Sequence, residues 1–176
     1  MAIKPRIFKI NIQIADMDRH YYHDHLVTVA QHPSETDERM MVRVLAFALN
    51  ANNNLSFADG ISDSNSADLW DKDYNDQIAL WISVGLPDEK LIRKAVNRAE
   101  QVIIYSYGGR PATIWWDKLK LGGYQNLKVV NLADDDTKEL ATLLSRGMKM
   151  NFTIQEGEIM VSNDATSLNI SPQILK

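Results

Sequence analysis

The chain contains no cysteine, which excludes disulfides, thiolate metal sites and cysteine nucleophiles. No run of eighteen apolar residues occurs, so no segment reads as a membrane-spanning helix. The opening "MAIKPRIFKINIQIADMD" lacks the apolar core and cleavage pattern of a secretory leader. These absences together point to a cytoplasmic protein. An excess of positive charge is also missing: 19 Lys and Arg stand against 23 Asp and Glu, for a net charge of −4. Bulk electrostatics therefore does not draw the chain onto a polyanion, and phosphate binding would have to come from a local basic face.

The sequence does have the makings of one globular domain over residues 1–176. Hydrophobic residues make up 45% and charged residues 24%, an ordinary balance for a chain with a packed core. No linker, repeat or low-complexity segment interrupts it.

"RIFKINIQIA" (6–15) alternates Phe8, Ile10, Ile12 and Ile14 against more polar neighbours, the period of a half-buried strand. "DMDR" is a turn, and "HYYHDHLVTVAQ" (20–31) reads as the return strand of an antiparallel hairpin. Residues 32–51 form the clearest helix. Ser34 with Asp37 resembles a capping box, and Met41, Val44, Leu45 and Ala48 share one face. Strands are expected at 55–63, 67–73 and 77–85, and a helix over 86–101 with Pro87 in its first turn. A strand follows at 102–107, a short helix in "ATIWWDKLKL", a strand at 127–133 and a capped helix over 134–147 ending at Gly147. A hairpin turning at "EGE" fills 148–163, and the last dozen residues read as irregular. The expected architecture is mixed α/β (α+β), a central mixed sheet flanked by helices.

Helix, three strands, helix and strand succeed one another from about residue 34 to 107. That succession resembles the core of the PD-(D/E)XK nuclease superfamily, a restriction-endonuclease-like fold, here with β-hairpins added at both ends. In that fold strand acids hold Mg²⁺ or Mn²⁺, which activates a water and offsets charge on phosphorus. Transferred residue by residue, the resemblance puts Asp68 at the first strand acid, Ser83 where the second acid belongs and Gly85 where the lysine belongs. Lys94, in a stripe with Lys90 and Arg98, is the substitute cation from the next helix, and Glu38 is the supporting acid, with Glu35 an alternative one turn earlier. Plainer readings exist for each: a turn aspartate, a packed serine, a solvated lysine, and a Glu38 ion-paired to Arg39 or Arg43.

Other tempting groups carry less. His23 and His25 share a strand face but have no third ligand, so a polar edge strand accounts for them. His32 begins a helix-entry word, and Asp73 and Asp76 suit a turn. Trp70, Trp81, Trp115 and Trp116 fit core patterns better than base stacking.

More specifically, "HPSETDERMM" (32–41), "RVLAFAL" (43–49), "DLWDKD" (68–73, by its DLW and final Asp), "LWISVGLPDE" (80–89), "IRKA" (92–95) and "IWW" (114–116) resemble the YaeQ family nearly end to end. The resemblance implies a bacterial protein on a variant of the nuclease-like fold, without an agreed reaction. Members commonly carry an acid where this chain has Ser83. The expectation is therefore a degenerate, non-catalytic member that binds a nucleic-acid or protein partner. The alternative is a metal-dependent phosphodiesterase using Asp68, Glu38 and Lys94.

Overall fold

The computed structural model describes residues 3–58 and 66–176. The alternating N-terminal segment forms β1 (Arg6–Asp16), with Phe8, Ile10, Ile12 and Ile14 all buried. It pairs antiparallel with β2 (Tyr21–Gln31) through an unbroken register from Arg6↔Gln31 to Asp16↔Tyr21. The next helix, α1 (Asp37–Asn50), is buried continuously from Met40 to Ala48. A helix buried on every side needs apolar layers on both flanks, and two sheets supply them.

The first sheet has the order β10-β9-β8-β1-β2, with β8 (Met148–Gln155), β9 (Glu158–Ser162) and β10 (Ser167–Ile170). The second has the order β11-β7-β6-β5-β4-β3. Its members are β3 (Ser56–Phe57), β4 (Leu69–Lys72), β5 (Ile78–Val84), β6 (Ala99–Ser106), β7 (Leu127–Asn131) and β11 (Gln173–Ile174). Strands β5, β6 and β7 run parallel, while β3, β4 and β11 join antiparallel. The parallel links require crossovers, made by α2 (Glu89–Arg98) and α3 (Arg110–Lys118). Helix α4 (Asp134–Ala141) follows β7 and packs beside α1. The layers are thus sheet, α1 with α4, sheet, and α2 with α3. One core cluster joins the inner faces of both sheets to α1, and a second lies between the second sheet and α2–α3. The whole is a mixed α/β arrangement of two mixed sheets and four helices among the described residues. No described helix is long and apolar enough to cross a membrane.

Several expectations are corrected here. The terminal hairpins are not additions around one central sheet: β1 pairs parallel with β8, from Ile10↔Met148 to Asp16↔Ile154, so both hairpins merge into a second sheet. The expected helix over 86–101 gives way at Ala99 to β6. Ala99 continues the buried helix face of Ile92, Ala95 and Val96, so the pattern alone is ambiguous, and pairing of Ile78 with Ala99 decides for strand. Pro87 precedes the N-cap, which is Asp88, accepting from Leu91 N–H at 2.8 Å. The C-terminal dozen contains β10 and β11, because β9 and β7 each offer them an edge. Helix α4 ends at Ala141, where Leu143 and Leu144 N–H bond the carbonyls three residues back and tighten the chain. Of the strand expected at 55–63, the described residues form β3, and residues 59–63 lie outside the described residues. Thr36, not Ser34, is the N-cap of α1, accepting from Arg39 N–H at 3.1 Å; the Ser34 hydroxyl meets His32 Nδ1 at 2.6 Å instead.

The far end of α1 has no basic residue of its own. Arg19, from the β1–β2 turn, bonds the carbonyls of Ala51 (3.0 Å) and Ala48 (3.5 Å) while its Nε pairs with buried Asp16 at 2.7 Å. One side chain satisfies the exposed dipole end and a buried carboxylate together.

Candidate functional site

The N-terminal half of α1 carries a charged chain at one-turn spacing. Glu35 is buried, and its Oε1 accepts from Arg43 Nη2 at 2.6 Å and Arg43 Nε at 3.1 Å. Arg43 also donates to the Ala30 carbonyl at 3.0 Å. The other oxygen of Glu35 pairs with Arg39 Nη1 at 3.3 Å. Arg39 then reaches out of the helix, its Nη2 bonding Asp68 Oδ1 at 2.6 Å. The second oxygen of Asp68 accepts the Val84 N–H at 2.7 Å, and the Asp68 N–H donates to the Ile82 carbonyl at 2.9 Å. These bonds fix the carboxylate beside the carboxyl end of β5. Burial acts to lower the Arg39 guanidinium, but the Asp68 and Glu35 carboxylates outweigh it and hold it above its ordinary value. Tyr107 stands in the same corner. Burial pushes its phenol up, with Arg39 partly offsetting this and Glu38 and Glu35 adding to it.

Ser83 does not join the group. Its buried hydroxyl accepts from Trp81 Nε1 at 3.1 Å, on the sheet face that carries α2. Glu38 is turned to α4, where Thr137 Oγ1 donates to its Oε1 at 2.6 Å. Lys94 lies half-buried on α2, and among the described residues it forms no ion pair with Asp68 or Glu38. Of the four candidate residues, only Glu38 and Asp68 lie near the same corner, each held by a different partner. No three His, Asp or Glu among the described residues gather closely enough to hold a metal ion. The residues as placed do not fit Mg²⁺ or Mn²⁺: Asp68 is neutralised by Arg39, and an uncharged hydroxyl facing an indole is a poor ligand for a hard cation. Sequence reasoning missed Arg39 and Arg43 as the organisers. The signal was the i, i+4, i+8 spacing of Glu35, Arg39 and Arg43.

Beside this corner the chain divides. After β6 it enters α3, in the outer layer, while after β7 it enters α4, in the layer of α1. Adjacent parallel strands whose connections leave on opposite faces open a crevice at their carboxyl ends. After β6, Gly108 and Gly109 take φ of 111° and 69°, and Asp134 stands 3.4 Å from where a Gly109 Cβ would be.

The outer layer is electrically distinct. Outside strands β6 and β7, residues 86–126 hold seven Lys and Arg against three Asp and Glu, inside a chain of net charge −4. On α2, Lys90 and Arg93 are exposed and Lys94 is half-buried, and none of the three forms an ion pair with the described residues. The tryptophans behind them serve packing. Trp81 is wholly buried against Trp70, Arg98 lies 5.8 Å over its ring, and Trp115 donates to the Pro87 carbonyl at 2.6 Å. His25 meets the Tyr21 hydroxyl at 2.6 Å, and Asp73 accepts the N–H of Asn75 and Gln77, consistent with edge-strand and turn roles.

Residues 1–172 match the family model described as YaeQ protein. The "Uncharacterized protein YaeQ" of Escherichia coli is 38% identical, covering 97% of this chain and 96% of that protein. Its counterpart from Salmonella typhi is 39% identical over 97% and 95%. The crystal structure of YaeQ protein from Xanthomonas axonopodis pv. citri superposes with a TM-score of 0.95 at 43% identity, covering 98% of each chain. That from Pseudomonas syringae gives 0.92 at 32%, covering 98% of this chain and 96% of the other. The chain belongs to the YaeQ family.

Proposed function

We propose that this protein binds nucleic acid without cleaving it, on a restriction-endonuclease-like scaffold whose metal site is disarmed. The scaffold reading is supported by the order α1, β3, β4, β5, α2, β6 over the expected core. The observation that carries the non-catalytic reading is the state of Asp68: both its oxygens are held, one by Arg39 and the other by the Val84 N–H. A guanidinium at 2.6 Å already supplies the positive charge that a cation would bring. Ser83 in place of an acid and Gly85 in place of a lysine point the same way. Binding is assigned to the α2–α3 layer, where unpaired cations gather on a protein that is otherwise acidic.

The metal-dependent phosphodiesterase reading with Asp68, Glu38 and Lys94 requires Arg39 to leave Asp68 and Lys94 to reach it. Fluorescence anisotropy with single- and double-stranded DNA and RNA, run as a salt series, tests the binding assignment. The expected result is affinity that falls linearly in log–log form as salt rises. Absence of binding at low salt for all four nucleic acids would overturn it.

A further inference from the structure

Among the described residues, strand β2 has a neighbour on one side only. Edge strands in soluble proteins are usually kept short, bulged, or studded with lysine or proline to prevent unwanted pairing. This one has none of those protections. It runs from Tyr21 to Gln31 without Lys, Arg or Pro, its register with β1 is unbroken, and Asp24 is its one carboxylate. Leu26, near its middle, is 79% exposed, an unusual place for an unpartnered leucine.

The direction of its backbone follows from one contact. The Ala30 carbonyl accepts from Arg43 Nη2, so it points off the free edge rather than toward β1. Alternation along an antiparallel strand then turns the N–H and C=O groups of Tyr22, Asp24, Leu26 and Thr28 off that same edge. Beneath the edge lies a groove of about 420 Å³ with His25, Val27, Phe47, Leu55 and Phe57 in its walls. Thr28, Asn52, Asn53 and Ser56 complete the lining, so the groove is mixed in character. A free ladder above such a groove accepts a strand: the ladder supplies main-chain bonds, and the groove receives alternate side chains.

We propose that the occupant is β2 of a second copy, paired antiparallel about a two-fold axis through Leu26. That axis sets Leu26 beside Leu26 on the outer face and Asp24 against Thr28. It also places His25 opposite Val27 over each groove. Centring on Asp24 would oppose two carboxylates. Centring on His25 would set Asp24 against Leu26 and each His25 against its equivalent. Because the Ala30 carbonyl is already held by Arg43, the new ladder is confined to the span from Asp24 to Thr28. The Leu26 register brings together the most exposed apolar side chain of β2 in each copy without facing like charges, and two-fold pairing closes after two copies. The proposal is independent of the nucleic-acid reading, since β2 belongs to the other sheet from β5.

Sedimentation velocity over a dilution series tests it, with Leu26→Lys beside the parent. The parent is expected to sediment as a concentration-dependent dimer and Leu26→Lys as a folded monomer. Because the chain has no cysteine, Leu26→Cys supplies one thiol per copy. Directly opposed antiparallel residues lie about 5.5 Å apart at Cα, inside the disulfide range. Mild oxidation is therefore expected to link Leu26→Cys far more completely than Lys149→Cys, an exposed control on β8. A parent that stays monomeric at every concentration would overturn the proposal. So would a dimer unaffected by Leu26→Lys, or cross-linking no greater than that of the Lys149→Cys control.

Discussion

Glu35→Ala is expected to destabilise the protein by about 3–5 kcal/mol, the cost of leaving a buried guanidinium without its counter-charge. Arg43 is almost wholly buried and its side chain is held by Glu35 and one backbone carbonyl. The double variant Glu35→Ala/Arg43→Met should recover part of the loss, because it removes the stranded charge as well as its partner. Urea unfolding reads both, as a shift of midpoint with the slope unchanged. A loss below about 1 kcal/mol for Glu35→Ala would mean that the pair behaves as a solvated surface bridge. Arg39 would then be less firmly anchored, and its grip on Asp68 would be weaker than the geometry implies.

The second large effect concerns binding. Lys90→Gln/Arg93→Gln/Lys94→Gln removes three cations that pair with nothing among the described residues. The variant should remain as stable as the parent, since surface substitutions of this kind usually change stability by less than about 0.5 kcal/mol. Its affinity for nucleic acid should fall for every sequence alike. The slope of log affinity against log salt should flatten by about 1 for each phosphate contact removed, so by up to about 3. An unchanged slope would move the interface away from α2.

The parts of this molecule legible in the sequence are those governed by local period. The alternation of Phe8, Ile10, Ile12 and Ile14 gives β1 its buried face, and the apolar run from Met40 gives α1. Partnership between distant strands is not local. Nothing in residues 6–16 signals that β8 will lie beside them, so two terminal hairpins read as two ornaments when they form a second sheet. The same limit governs the site. Asp68 was placed at its strand end by the resemblance, but whether its carboxylate faces a metal or a cation depends on where Arg39 arrives. Arg39 is 29 residues away in sequence and 2.6 Å away in space. Ser83 shows the converse. A packed hydroxyl was the plainer expectation, and the indole of Trp81 two residues earlier meets it.

On the proposed reading, Asp68 is engaged within the protein and supports no hydrolysis. The most direct test is incubation of the parent and Asp68→Ala with single- and double-stranded DNA and RNA, in Mg²⁺, Mn²⁺ or EDTA, with cleavage followed on denaturing gels. Intact nucleic acid is expected in every lane, at protein concentrations where anisotropy shows binding. Cleavage by the parent that needs the metal and disappears in Asp68→Ala would contradict that reading, and would mean that Arg39 yields Asp68 to a cation when substrate is present.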